Sequence, residues 1–90
     1  MRIEKIKNND ELTVKLMGRL TPGEALILED ELLNKLSGVK KLILDLENFD
    51  DDISNEGAIV LFKIKGIMRN QGTMEVKNVN ESIRVLFEIN

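Results

Sequence analysis

Leu12, Val14 and Leu16 alternate with Thr13, Lys15 and Met17, the two-residue period of a strand with one buried face. Upstream, Ile3 and Ile6 predict a short first strand. Asn8-Asn9-Asp10 between them has turn chemistry, because Asn and Asp tolerate a left-handed backbone and bond their own chain. The two strands read as a hairpin. The period then changes. Ala25, Leu28, Leu32 and Leu36 recur at helical spacing with Leu33 beside them, and so predict one buried helix face. Thr21 suits the N-cap, Pro22 the first helical position, and Glu24 completes a capping box. Ser37-Gly38 is the predicted stop, with Gly38 in the left-handed position that ends many helices.

Leu42-Ile43-Leu44 is continuously apolar, as in a strand that is central or covered on both faces. The strand Lys41–Leu46 leads into an acidic loop. From about Ser54 to Asn70 the pattern is helical again, with Val60, Leu61, Ile64, Ile67 and Met68 on one side and Gln71-Gly72 as the stop. Met74 and Val76 alternate with Glu75 and Lys77 in a last strand. Asn80 is placed to cap a final helix carrying Ile83, Leu86 and Phe87 inward. The predicted order is β-β-α-β-α-β-α. Strands joined by helices imply an α/β fold with a mixed, partly parallel four-stranded sheet. Residues 1–90 read as one domain, without linker or repeat.

Composition narrows the chemistry. The chain has no Cys and no His, which removes disulfides, thiolate metal sites, and the commonest general base and metal ligand. The net charge is −3 with no basic block, so nucleic acid is not an expected partner. Apolar runs such as Ala25-Leu26-Ile27-Leu28 are too short to span a bilayer. The start, Met1 to Lys5, lacks the apolar core of a signal peptide. A cytoplasmic location is expected, with no cofactor, metal or catalytic residue. Asp50-Asp51-Asp52 fits no EF-hand spacing and reads as an acidic turn before a helix.

Ser54 stands at the strand-to-helix junction, where a helix N-cap is expected. A phosphate there would add about −1.5 to −2 charges beside free backbone N–H groups. It would leave the fold intact and repel an acidic partner surface. A plain N-cap role is compatible with this. On the helical wheel Ile59 and Phe62 fall opposite the apolar face, with Gly66 between them in angle. Aromatics are scarce, with three Phe and no Tyr or Trp, so an outward Phe62 suits a binding anchor. The alternatives for it are cover by a neighbouring loop or a homodimer contact.

The layout resembles the STAS domain, the fold of bacterial anti-sigma factor antagonists. Gly18-Arg19-Leu20-Thr21 matches the family's early turn, and Asp45-Leu46-Glu47-Asn48-Phe49 is similar to its Asp-Leu-Ser-Gly-apolar strand end. Gln71-Gly72, the strand Met74–Val79 and Ile83-Arg84-Val85-Leu86-Phe87-Glu88-Ile89 look like its last turn, strand and helix. The resemblance covers nearly the whole chain through the order and spacing of weak motifs. In the family an Asp-Ser-Ser/Thr/Ala-Gly motif carries the phosphorylated Ser. A gapless alignment, nine residues after Asp45 and eighteen before Gly72, places Ser54 there and is favoured. Matching Gly57 to the motif's Gly needs one more residue in the Asp50–Asp52 loop and puts Asn55 at the acceptor position. In the gapless alignment Ile53 replaces the motif's Asp and Glu56 its Gly.

The resemblance implies a regulatory protein-binding module that sequesters an anti-sigma factor of the histidine-kinase-like ATPase class. Binding would use Asp52, Ile53, Ser54, Asn55, Glu56, Ile59 and Phe62, with phosphorylation of Ser54 as the switch. A second reading is a non-phosphorylated accessory or scaffold subunit, for example of a lipid-transport ATPase complex. Ile53 and Glu56 favour it. An enzyme is the least supported class. Homodimerisation stays open.

Overall fold

The computed structural model describes residues 1–50 and 53–88. Its elements are β1 (Arg2–Asn8), β2 (Glu11–Met17), α1 (Pro22–Leu33), β3 (Lys41–Asp45), α2 (Asn55–Arg69), β4 (Thr73–Lys77) and α3 (Glu81–Glu88). This is the predicted order. The four strands form one sheet in the order β1-β2-β3-β4. β1 pairs antiparallel with β2 through the turn at Asn9, whose φ is 59°. β2, β3 and β4 run parallel, with Leu12 opposite Leu42 and Leu42 opposite Met74.

Strand register puts one row of apolar side chains on the helix side of the sheet. Leu12, Val14, Leu16, Leu42 and Leu44 are all buried there. Ala25, Leu28 and Leu32 of α1 and Val60, Leu61, Ile64 and Met68 of α2 close over them. Each fully buried Leu or Ile contributes about 1.5–3 kcal/mol. The exposed ion pairs, such as Arg2–Glu4 at 3.0 Å and Lys41–Glu75 at 3.7 Å, contribute at most about 1 kcal/mol each. The core therefore decides the fold. The opposite sheet face carries polar and charged residues, among them Thr13, Lys15, Lys41, Asp45 and Glu75.

β3 is central, one of the two placements its apolar run allowed; one of its faces is covered, and Ile43 is half-buried on the open face. Ile6 lies on that face too, at 57% exposure, because it pairs with Thr13 while Ile3 pairs with the buried Leu16. α1 ends at Leu33, a turn before Leu36, with Asn34 as its C-cap. Leu36 keeps the helical spacing only because the following turn folds it back into the core. Gly38 does adopt a positive φ of 81°, but in that turn rather than at the helix end. Finally, the capping box is half formed. Thr21 Oγ1 accepts from the Glu24 N–H (3.3 Å), while the Glu24 carboxylate lies 3.3 Å from the Met1 amino group.

Candidate functional site

Two loops leave the C-terminal ends of the adjacent parallel strands β2 and β3, and they are laced together. The Gly18 N–H donates to the Asn48 carbonyl (3.0 Å), and the Asp50 N–H donates to the Gly18 carbonyl (2.6 Å). Gly18 has a φ of 101°, which a residue with a Cβ adopts only under strain. Arg19 reaches across to Asp50 at 3.3 Å. The Ser54 N–H then donates to the Leu20 carbonyl (3.2 Å). The N-termini of α1 and α2 are thus held side by side, each closed by a hydroxyl cap.

Ser54 is the N-cap of α2. Its backbone is extended, and its Oγ accepts from the Gly57 N–H at 3.0 Å. The side chain keeps its own hydroxyl hydrogen for a further acceptor. Asn55 and Glu56 follow in the first turn and are exposed. Glu56 lies in the positive field of the helix N-terminus. Ile53 does not share this exposure, since it is half-buried and packs on the core. Asp52 lies outside the described residues, as does Asp51.

Gly57 is buried beneath this turn. A Cβ on it would lie 2.7 Å from Leu20 Cγ, 2.8 Å from Leu20 Cδ2 and 3.1 Å from Ile53 Cγ1. The first turn of α2 seats on Leu20 only because that position lacks a side chain.

Ile59 and Phe62 both face outward, at 52% and 39% exposure. They belong to different surfaces. Phe62 is not among the residues that line the groove between α1 and α2. Ile59 forms one wall of this open groove of about 380 Å³. The other wall is Leu26, 66% exposed, and Ala25 and Val60 form the floor. Glu56, Glu29 and Lys63 stand at the rim, the last two paired at 2.7 Å. Leu26 and Ile27, also exposed, were not among the sequence candidates. The signal for them was present. A helix with one inward face cannot bury all of Ala25-Leu26-Ile27-Leu28, so two of the four must face out.

Asp45, at the end of β3, is a well-organised carboxylate near these loops. Its Oδ1 accepts from Asn78 Nδ2 (2.9 Å) and from the Glu47 N–H (3.1 Å). The Asn78 hydrogen bond, with the Glu47 N–H and the charges of Lys15 and Lys77, holds its carboxyl below the usual aspartate range. That is the opposite direction from a general acid poised near neutrality. Among the described residues no polar or charged side chain is buried, and no cluster of His, Cys, Asp or Glu could hold a metal. Among them, too, no helix is long and apolar enough to cross a membrane. The arrangement offers a surface for contact: two helix N-termini, one half-buried hydroxyl, and an apolar groove.

The structure of the anti-sigma factor antagonist SpoIIAA in its unphosphorylated form superposes with a TM-score of 0.82, over 99% of this chain and 84% of that one, at 12% identity. The fold is STAS-like. The NMR structure of the protein TM1081 matches this STAS-like domain at a TM-score of 0.70, over 98% of this chain and 72% of that one, with 18% identity. A crystal structure of Mglu matches 87% of this chain at a TM-score of 0.73 and 20% identity. The domain spans only 20% of the Mglu chain. At these identities the likeness concerns the fold. No family model and no curated protein matches the sequence.

Proposed function

We propose that this STAS-like domain is a regulatory protein-binding module that works as an anti-sigma factor antagonist, with an anti-sigma factor of the histidine-kinase-like ATPase class as its partner. The observation that carries the reading is the joined pair of helix N-termini. Leu20 and Ser54 hold the first turns of α1 and α2 together, so Ser54, Asn55, Glu56 and Ile59 form one rigid contact surface. The likeness to the anti-sigma factor antagonist SpoIIAA supports an anti-sigma factor as the partner. Asp52 and Phe62 would border this surface. Phosphorylation of Ser54 would add charge at the contact without disturbing the core, because Ser54 is a helix cap and not one of the core residues. A tenfold loss of affinity needs only about 1.4 kcal/mol.

One observation favours the second reading, a scaffold or accessory subunit without a phosphorylation switch. Gly57 has no room for a side chain. A position that demands glycine is a better match for the glycine of the family motif than Glu56, which is exposed. That match puts Asn55, which has no hydroxyl, at the acceptor position.

Affinity capture from host lysate with wild-type, Ser54→Glu and Asn55→Asp baits separates the two. An ATPase of the stated class held by wild type and lost by Ser54→Glu supports the switch. The same ATPase held equally by wild type and Ser54→Glu supports a binding module without it. A transporter subunit in its place supports the accessory reading, and no ATPase at all overturns the antagonist reading.

A further inference from the structure

We propose that the groove between α1 and α2 receives an amphipathic helix of the partner, one whose apolar stripe is flanked by Lys or Arg. The inference deepens the reading of this domain as a protein-binding module and rests on it. The groove is apolar inside. Leu26 and Ile59 stand on either side of Ala25 and Val60, an apolar seat of the kind that takes side chains recurring every three or four residues on a helix. It is open along its length, whereas a small-molecule site encloses most of its ligand. That shape takes a rod laid against two helices rather than a compact ligand.

The rim sets the charge of the occupant. α1 carries Glu24, Glu29, Asp30 and Glu31 and no basic residue. Glu24 lies against the Met1 amino group, and Glu31 pairs with Lys5. The groove's own cation, Lys63, is matched by Glu29 at 2.7 Å. Among the described residues Asp30 on α1 and Glu56 on α2 have no basic partner. An incoming helix with basic flanks meets Glu56 at the rim of an apolar seam, with Asp30 one turn beyond Leu26 on α1. An acidic helix meets repulsion from Glu56 and from the acids of α1. A second copy of this chain is a poor occupant, since its α1 brings four acids and its net charge of −3 repels an equal one.

Two peptides of about four helical turns test this, with leucines at the i, i+4, i+7 spacing and either Lys or Glu at the flanking positions. Backbone amide shifts of the whole protein report where each binds and how tightly. The Lys peptide is expected to shift the amides of Leu26, Glu29, Glu56 and Ile59 and to bind at least about tenfold more tightly than the Glu peptide. The gap should narrow as salt rises. Leu26→Asp and Ile59→Asp should each weaken the Lys peptide about tenfold or more while leaving the amide spectrum folded. Glu56→Lys should lower binding of the Lys peptide and raise that of the Glu peptide. Equal binding of both peptides, no saturable shift at the groove, or full binding by Leu26→Asp overturns the inference. So does a concentration-dependent dimer that Leu26→Asp dissolves. If the ATPase is captured equally by wild type and Leu26→Asp, this inference falls and the antagonist reading stands.

Discussion

The backbone N–H of Ser54 donates to the carbonyl of Leu20 at 3.2 Å, and this bond between residues 34 apart in the chain joins the starts of two helices. Ser54 then turns its Oγ to the Gly57 N–H, and Gly57 in turn rests on the Leu20 side chain. Leu20 is thus contacted twice by the same turn of α2, once through its backbone and once through its side chain. Perturbing any of the three residues should move the whole contact surface.

Two glycines of α2 should respond oppositely to alanine. Gly66 is in the helix interior, and a Cβ there meets nothing within 4 Å. Gly66→Ala should stabilise the domain by about 0.5–1 kcal/mol through helix propensity. Gly57→Ala gains the same propensity but drives a methyl to within 2.7 Å of the fully buried Leu20. Overpacking costs about 1–3 kcal/mol, so the net effect should be destabilising. Urea denaturation of the two variants beside wild type checks the sign. A Gly57→Ala protein at least as stable as wild type would refute the packing argument.

Gly72→Ala should be worse than either. The new methyl would sit 1.9 Å from the Lys40 carbonyl oxygen, a backbone atom that already accepts from the Thr73 N–H at 2.9 Å. Relief requires the turn before β3 to separate from the turn before β4. A loss of about 2 kcal/mol or more is expected, at the upper end of overpacking costs. Thermal unfolding followed by circular dichroism reads it.

Removing the Ser54 cap should separate stability from binding. Ser54→Ala loses the bond to the Gly57 N–H and should cost about 1 kcal/mol. Ser54→Asp restores a cap of similar quality and adds a charge favourable to the helix dipole. The Asp variant should therefore be close to wild type in stability. If partner binding is phospho-sensitive, binding should follow the reverse order, with Ala retained and Asp lost. Denaturation and capture run on the same two proteins decide it.

Asp45 contributes a pH dependence of known sign. Its folded pKa lies below the ordinary value of 3.8, chiefly through the Asn78 amide and the Glu47 N–H. The unfolded chain therefore binds the proton more readily. The contribution to stability is complete above the ordinary aspartate value and is lost as pH falls through the lowered one. Asp45→Asn should flatten the acid limb of the stability curve below about pH 4 and leave the neutral limb's slope unchanged. Stability measured in urea from pH 7 down to pH 3 tests this, and an unchanged acid limb in the variant would contradict the assignment.

Local signals alone were enough to place each element of this chain. The two-residue period marked β2, the helical spacing marked α1 and α2, and Thr21, Ser54 and Asn80 marked helix starts. All three side chains accept the expected backbone N–H in the structure. These features were legible because capping and amphipathicity act over three or four residues. The end of α1 was not legible, because Leu36 is buried by a turn that mimics helical spacing.

The candidate site divides along the same line. Ser54 as a cap, and Ile59 and Phe62 as outward residues, follow from the sequence through the geometry of one helix. That Ile59 joins Leu26 in a groove while Phe62 does not depends on where α1 lies beside α2. The half-burial of Ile53, the fit of Gly57 against Leu20 and the Gly18–Asn48 bond likewise arise between segments about 30 or more residues apart in most cases. Sequence determined which residues cap, which turn outward and which face the core, since each is set by its near neighbours. Tertiary structure alone decided which outward residues meet, because parallel pairing of β2 with β3 brings two distant loops to one end of the sheet.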